Sequence, residues 1–346
     1  MVLKLSMLLF LWGCVQNVTA SCEINNFRKT HQHQGLLQKR LIGEWNNSFN
    51  EKLITVADID GNPWDYYTLE SRAVNADRLI LFLHGFPEFA WAWEQQLAYF
   101  GERYHAVAID LKGHHYSSRP DTVNEYDFIE LSYEIRAIIN CLGYQQATIV
   151  GHDLGGAITW VMGMLHPDVV ERLVVMSVAH PYLFGKALLN PESDQRERSH
   201  YIQLARGESL QGSVYFIATI LRDRDFTRNN FYRNKRFLRL LSESWLPSNR
   251  WRPMRHYYRA MPLPPSAQDF PETLTGLQKQ IYRIKRPTLL LRGRHDRYFA
   301  EEAYQGIEAL VPDLQIHVYE EGTHWINHEA VDLNERIDAF ISEAIN

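Results

Sequence analysis

The chain has 346 residues, a formal net charge of −5 at pH 7, 45% hydrophobic residues and 22% charged residues. This is the composition of a globular protein with a full core, in one large domain or one domain with an inserted lobe. The charge balance argues against nucleic acid as a partner, and no stretch is collagen-like, low in complexity or repeated.

Residues 1–20 have the order of a secretory signal peptide. An early lysine precedes an apolar run from Leu5 to Trp12, and small residues follow at 18–20. The run is too short to span a bilayer as a mature helix. We therefore predict cleavage after residue 20 and a secreted or periplasmic protein. The alternatives are a frayed apolar N-terminus and a lipoprotein anchored through Cys14 or Cys22.

Two cysteines remain after such a cleavage, Cys22 and Cys141. They could form one disulfide in an oxidising compartment, or both could stay free. Neither lies in a CxxC or Cys/His spacing typical of zinc sites, so we predict no metal.

From residue 21 onward the chain predicts strands that alternate with helices. A polar, extended lead-in runs to about residue 50, and a hairpin follows in KLITVADIDG and WDYYTLES. Buried strands are predicted in DRLILFLHG, YHAVAIDLKG, QATIVGHD and ERLVVMSVAHP, then again in RPTLLLRGRHD and LQIHVYEEGTH. An amphipathic helix near 332–344 ends the chain. The pattern indicates an α/β fold with a mostly parallel sheet covered on both faces.

Between residues 182 and 285 this rhythm changes. No buried strand is predicted there, but several helical stretches are, before the Pro-rich exit MPLPPSAQDFPE. We predict an inserted helical lid at 182–285, between a first core segment, 21–181, and a second, 286–346.

The stretch IVGHDLGG places an aspartate where many hydrolases carry a serine in G-x-S-x-G. An apolar strand leads into it and a helix follows, which predicts a sharp turn that presents Asp153 at the carboxyl end of the sheet. The flanking glycines let the backbone make this turn without a Cβ clash. The alternative is an aspartate that only caps its helix.

Three further loops follow predicted strands. His84-Gly85-Phe86-Pro87 comes first, Asp296 follows a late strand and His324 follows the last strand. Each could be an ordinary loop residue or helix cap. Together they give nucleophile, acid and histidine in the chain order of α/β-hydrolases.

These motifs, HGFPE and HDLGG above all, resemble those of the epoxide hydrolase family of α/β-hydrolases, from about residue 52 to the C-terminus. The resemblance implies Asp153 as nucleophile, with His324 and Asp296 completing a triad. It also implies an oxyanion hole from the backbone N–H groups of Phe86 and Leu154. The family often has a tryptophan directly after the nucleophile, where this chain has Leu154.

The same resemblance implies two lid tyrosines that donate to the epoxide oxygen. Tyr258, in RHYYRAM, matches the second of them, with Tyr257 as its rival. Tyr201, in RSHYIQLAR, matches the first less closely. Either hydroxyl could instead belong to ordinary lid packing.

A carboxylate nucleophile indicates attack on saturated carbon. Attack on an ester would give an anhydride, whereas attack on an epoxide or alkyl halide gives an alkyl ester that water can hydrolyse. We predict an epoxide hydrolase that needs no cofactor and whose substrate is an apolar small-molecule epoxide. The alternatives are a haloalkane dehalogenase, with Trp91, Trp93 or Trp325 facing the pocket, and a catalytically silent binding protein. The sequence does not give the oligomeric state.

Overall fold

The computed structural model describes residues 22–27, 49–207, 216, 225, 251–263, 265, 270–271 and 274–344. The predicted signal peptide lies outside these residues. Cys22 and Cys141 form a disulfide with 5.7 Å between their Cα atoms, which settles the pairing that the sequence left open.

One nine-stranded sheet organises the described chain. Its order is β1-β2-β3-β5-β4-β6-β7-β8-β9, with parallel pairing from β5 through β9 and antiparallel pairing among β1, β2, β3 and β5. The strands are β1 Glu23–Asn26, β2 Asn50–Ala57, β3 Pro63–Arg72, β4 Leu79–Leu83, β5 His105–Ile109, β6 Ala147–His152, β7 Val170–Met176, β8 Thr288–Gly293 and β9 Leu314–Tyr319.

The predicted hairpin and mostly parallel sheet are confirmed. Every residue of β4, β5, β6 and β8 is buried, because the continuously apolar segments lie in the interior of the sheet. Strand β9 is an edge strand and is partly exposed. Strand β1 was missed: its polar sequence, EINN, has no apolar alternation, and it pairs with β2 at the opposite edge.

Eleven α-helices have their bounds in the described ranges. They are α1 Glu94–Phe100, α2 Phe128–Cys141, α3 Leu154–Leu165, α4 Pro181–Leu189, α5 Gln195–Arg198, α6 His200–Arg206, α7 Trp251–Met254, α8 His256–Ala260, α9 Gly276–Tyr282, α10 Ile326–Glu329 and α11 Leu333–Ser342. The predicted C-terminal amphipathic helix is α11, which buries Leu333, Ile337, Phe340 and Ile341. None of the helices described is long and apolar enough to cross a bilayer.

The chain between β7 and β8 contains α4 to α9, and its described residues include no strand. The boundaries of the lid stay a prediction, and much of it, from 208 to 250, lies outside the described residues apart from positions 216 and 225. Six parallel strands thus end at one edge of the sheet, and the loops that leave β4, β6, β8 and β9 carry the predicted site.

Candidate active site

Asp153 occupies the single residue between β6 and α3, at φ 50° and ψ −115°. This left-handed conformation is costly for a residue other than glycine and occurs where the surroundings enforce it. Gly155 makes the turn possible, because a Cβ there would come within 2.2 Å of the carbonyl oxygen of Leu83. The strand-to-helix turn therefore holds the carboxylate of Asp153 out from the end of the sheet.

The carboxylate does not cap its own helix. Its Oδ1 accepts a hydrogen bond of 2.8 Å from the backbone N–H of Phe86, in the loop after β4. That loop approaches closely because position 85 is glycine: a Cβ at Gly85 would lie 2.5 Å from the Cβ of Asp153. The helix-cap alternative is thus replaced by a contact between two loops.

The supporting loop is fixed by His84, which is fully buried. Its Nε2 accepts from the N–H of Leu111 at 3.0 Å, and its carbonyl oxygen accepts from the N–H of Gly155 at 3.1 Å. The peptide bond between Phe86 and Pro87 is cis. Burial lowers the pKa of His84, so the ring stays neutral and serves as scaffolding.

His324 links two carboxylates. Its Nδ1 lies 2.9 Å from Oδ2 of Asp296, and its Nε2 lies 3.5 Å from Oδ2 of Asp153. Asp296 is itself fixed, because its Oδ1 accepts from the N–H of Tyr298 at 2.8 Å. The structure thus brings the three predicted triad residues together, although they lie on three separate loops.

The charges of this group are coupled. Burial alone would lower the pKa of His324, because it disfavours the imidazolium. The negative charges of Asp296 and Asp153 and their hydrogen bonds to the ring have the larger effect and raise this pKa to about 10. Burial likewise disfavours the charged form of Asp153, but the hydrogen bond and charge of His324 lower the pKa of this carboxyl. At neutral pH the site therefore holds a carboxylate at Asp153 and a protonated His324.

The two predicted oxyanion-hole donors flank this carboxylate. The N–H of Phe86 already points at Oδ1. Leu154 is the first residue of α3, so its N–H belongs to the first turn, where helix amides have no partner within the helix. The positive end of the helix adds to the stabilisation of negative charge at this point.

Tyr201 on α6 and Tyr258 on α8 lie together above the site. Their rings are 5.8 Å apart and nearly perpendicular, and neither hydroxyl hydrogen-bonds to another residue in the described ranges. Burial, followed by the negative charge of Asp153, raises the pKa of both phenols well above the usual range. Both are therefore neutral donors close to the nucleophile.

The side chain of Tyr257 contacts different residues from that of Tyr258. Its hydroxyl donates to the backbone carbonyl of Lys112 at 2.9 Å, and its ring packs on Tyr126. Tyr258 instead packs edge-on against Phe86, the oxyanion-loop residue, at 5.5 Å. Of the two neighbouring tyrosines, only Tyr258 lies beside Asp153.

Sequence reasoning did not assign a role to Glu88, although it lies in the quoted HGFPE motif. Glu88 is fully buried, 2.5 Å from Nε2 of His328 and 3.6 Å from Nδ1 of His152. Burial favours the neutral acid, but these two histidines hold its pKa well below the usual range. His152 also contacts the carbonyl of His324 at 2.9 Å, so this buried group supports the loop of the catalytic histidine.

Tyr298 was also missed, because a tyrosine two residues after an acid has no motif of its own. Its ring lies edge-on to His324 at 4.6 Å and to Tyr201 at 5.1 Å. It therefore bridges the core and the lid. Within the described part of the chain, no group of three or more His, Cys, Asp or Glu side chains is arranged to hold a metal ion.

Comparisons with known proteins identify the family of the fold that carries this site. A sequence model of the α/β-hydrolase fold matches residues 78–331. The chain is 31% identical over 284 residues to epoxide hydrolase 3 of Xenopus tropicalis, covering 77% of this chain and 71% of that protein. It is 29% identical over 280 residues to epoxide hydrolase 4 of Mus musculus, covering 77% and 73%.

Solved structures that align with this chain are also epoxide hydrolases. The crystal structure of a Bacillus megaterium epoxide hydrolase in complex with an inhibitor aligns with a TM-score of 0.69 at 26% identity, covering 81% of this chain and 98% of that one. An epoxide hydrolase from metagenomes of hot environments aligns with a TM-score of 0.72 at 27% identity, covering 84% and 99%. These comparisons show that the chain belongs to the epoxide hydrolase family of α/β-hydrolases.

Proposed function

We propose that the protein hydrolyses an epoxide to a vicinal diol through a covalent ester on Asp153. One observation carries the proposal: the two oxygens of this carboxylate have different surroundings. Oδ1 is held by the N–H of Phe86, whereas Oδ2 faces His324 at 3.5 Å and is the one available to attack carbon. The carboxylate becomes an ester whose carbonyl oxygen already lies in the oxyanion hole.

The first step opens the epoxide. Oδ2 of Asp153 forms a bond to a ring carbon, and the bond from that carbon to the ring oxygen breaks. Tyr201 and Tyr258 donate hydrogen bonds to that oxygen and a proton as it becomes an alkoxide. General-acid help of this kind is worth about 10²–10⁴ in rate.

Ester formation also prepares the second step. The ester no longer carries the negative charge of Asp153, so one of the two carboxylates that hold the proton on His324 is gone. The imidazolium releases its proton to solvent and becomes a neutral base, and the tyrosine that protonated the ring oxygen takes one proton back. Asp296 keeps the ring oriented through its contact with Nδ1.

In the second step, Nε2 of His324 takes a proton from water as the water attacks the ester carbonyl. The N–H groups of Phe86 and Leu154 stabilise the resulting oxyanion, where the loss of one donor costs about 10²–10³ in rate. As the acyl C–O bond breaks, the former Oδ2 takes the remaining proton of the attacking hydroxyl and leaves with the diol, so that Asp153 is again a carboxylate and His324 an imidazolium.

An apolar substrate fits the walls of this site. Phe86, Phe216 and Tyr258 form a triangle of rings with centroids 5.3 to 5.7 Å apart beside the oxyanion loop. Such a wall favours a hydrocarbon or aryl substituent over a charged one, because a charge there would lose its hydration.

The test is to incubate His324→Gln with styrene oxide and with aliphatic and fatty-acid epoxides, and to record intact-mass spectra. The variant can form the ester but cannot activate water, so a stoichiometric adduct that maps to Asp153 is expected. Asp153→Asn is the matched blank. If the wild type hydrolyses these epoxides and no adduct forms in the variant, the covalent route is wrong.

A bromoalkane with a halide assay tests the dehalogenase alternative. Of the three tryptophans considered as halide donors, Trp91 hydrogen-bonds with Tyr67, and Trp93 is fully buried with its ring against Phe82. Trp325 lies edge-on to His324 at 5.2 Å, and the residue after the nucleophile is Leu154. Epoxide binding without turnover at any pH would instead favour a silent binding protein.

We also infer that the protein is exported and that residues 1–20 are removed. The disulfide between Cys22 and Cys141 supports this, because such bonds persist in oxidising compartments. Expression of the full chain in a secreting host, followed by N-terminal sequencing, should give a mature protein that begins at Ser21. Intracellular retention with an intact N-terminus would contradict the inference.

A further inference from the structure

The two lid tyrosines lie on very short helices. Tyr201 belongs to the seven-residue α6, and Tyr258 belongs to the five-residue α8. Helices of this length are unstable by themselves, and their position depends on tertiary contacts. The spacing of the two hydroxyls must therefore be fixed by whatever ties α6 to α8.

Arginines make these ties. Nη1 of Arg255, the residue before α8, donates to the carbonyl of Gly207 at 2.9 Å and to that of Ala205 at 3.3 Å, both at the end of α6. Arg259 on α8 also donates to Gly207, at 3.0 Å. In return, Arg206 at the end of α6 donates to the carbonyl of Met261, just after α8, at 3.0 Å.

These contacts satisfy groups that a helix leaves open. The last carbonyls of a helix have no partner within it, and the negative end of its dipole attracts cations. Each of the two helices thus has its C-terminal end bound by a guanidinium from the other. These contacts connect the helix that carries Tyr201 directly to the helix that carries Tyr258.

Arg255 differs from an ordinary surface arginine. It is 1% exposed, its guanidinium lies 4.8 Å from the centre of the Trp251 ring, and Nε has no hydrogen-bond partner. In the part of the chain described, no carboxylate forms an ion pair with it, and burial together with the charges of Arg259 and Arg252 lowers its pKa to about 10. A buried charge without a counter-ion opposes folding, so stability alone does not explain it.

We propose that Arg255 is a positioning residue for the epoxide-opening step, because its guanidinium holds α6 and α8 at the spacing that aims both lid hydroxyls at one oxygen. The proposal rests on the proposed function. A guanidinium can reach two carbonyls in a fixed geometry, whereas an ammonium acts as one point charge and a methionine provides only the apolar stem.

The test separates the two chemical steps by stopped-flow kinetics. In Arg255→Met, the rate of ester formation should fall by about 10²-fold, the effect of a displacement near 1 Å, because the tyrosines act in this step. Hydrolysis of the ester should keep its rate, since it uses His324 and Asp296 on the core. The rate of ester formation in Arg255→Lys should lie between the rates in Arg255→Met and in the wild type.

Arg252→Met is the matched control. Arg252 lies in the same segment and is exposed, and its side chain forms no hydrogen bond or ion pair in the described structure, so both rates should equal those of the wild type. An equal fall of both rates in Arg255→Met would mean that the residue only stabilises the lid, and the proposal would be wrong. If Arg255→Met does not fold, the same two rates are measured in Arg255→Lys and Arg259→Met. Ester formation at the wild-type rate in both of these variants would contradict the proposal.

A second readout does not need turnover. 4-Nitrophenolate can accept hydrogen bonds from both tyrosines through one oxygen, and its absorbance reports binding. Arg255→Met should bind it about tenfold more weakly than the wild type and Arg252→Met, which is the loss of one hydrogen bond to a charged acceptor. Equal affinity of the wild type, Arg255→Met and Arg252→Met for 4-nitrophenolate would contradict the positioning role of Arg255. Absence of ester formation in the wild type would contradict only the proposed function.

Discussion

The sheet and the lid hold their polar groups in opposite ways. At the sheet, two carboxylates face the ring of His324: Oδ2 of Asp296 lies 2.9 Å from Nδ1, and Oδ2 of Asp153 lies 3.5 Å from Nε2. Negative charges therefore face a positive one. In the described part of the lid, the hydrogen-bond acceptors of the buried Arg255 are backbone carbonyl groups. The loops after parallel strands place the reacting charges, while the short helices place two neutral hydroxyls through backbone acceptors.

This difference predicts which changes affect which step. A substitution at the sheet edge should remove a reacting group, because the strands hold the remaining groups in place. A substitution in the lid should weaken proton donation to the epoxide oxygen and spare ester hydrolysis.

Asp153→Asn should give the largest loss. The amide cannot form the ester, so kcat/KM for the best epoxide should fall by about 10⁴–10⁶-fold. The melting temperature should not fall in proportion, because the residue occupies a strained backbone position for its chemistry. Steady-state kinetics and thermal unfolding measure the two effects, and substantial activity in freshly prepared variant would show that another group attacks carbon.

Tyr258→Phe should slow ester formation by about 10²-fold, because one of two proton donors is lost. Tyr257→Phe is its neighbour control. It loses only the hydrogen bond to the carbonyl of Lys112, which should cost about 1 kcal/mol of stability and leave the rate of ester formation unchanged. A larger kinetic effect at Tyr257 than at Tyr258 would reverse the assignment.

The charge coupling at His324 should appear in the pH dependence of stability. Its pKa in the folded protein, about 10, lies above the ordinary value of 6.5. The contribution to stability is therefore complete below about pH 6.5 and is lost as the pH rises through about 10. Urea unfolding should show a loss of roughly a few kcal/mol over this range in the wild type and a smaller loss in His324→Gln. Parallel pH profiles would contradict the coupling.

The disulfide should affect stability without affecting chemistry. It joins the segment before β1 to the last residue of α2, and its two cysteines are 119 residues apart in sequence. Cys22→Ser/Cys141→Ser should lower the free energy of unfolding by about 2–4 kcal/mol. The value of kcat/KM should stay that of the wild type, and a large fall would mean that the N-terminal strand supports the site.

Much of this arrangement could be predicted from the sequence. Buried parallel strands have continuous apolar runs, and the turn at Asp153 has a glycine, Gly155, where a side chain would collide with Leu83. The order of Asp153, Asp296 and His324 then indicated one edge of the sheet. These signals are local, so one sequence is enough to read them.

The features that were missed depend on distant contacts. Strand β1 is polar and exists through its pairing with β2. Arg255 has the sequence context of a surface residue, and only the folded lid shows it buried against the end of α6. Likewise, Glu88 and His328 are 240 positions apart in the chain and meet only once the sheet forms.

The most direct test of the account is a single turnover in ¹⁸O-water with enzyme in excess over epoxide. The water attacks the ester carbonyl, so one ¹⁸O should appear in the peptide that contains Asp153, and the diol of that turnover should be unlabelled. If the label appears only in the diol and none in the peptide, water attacks the epoxide directly and Asp153 does not form an ester.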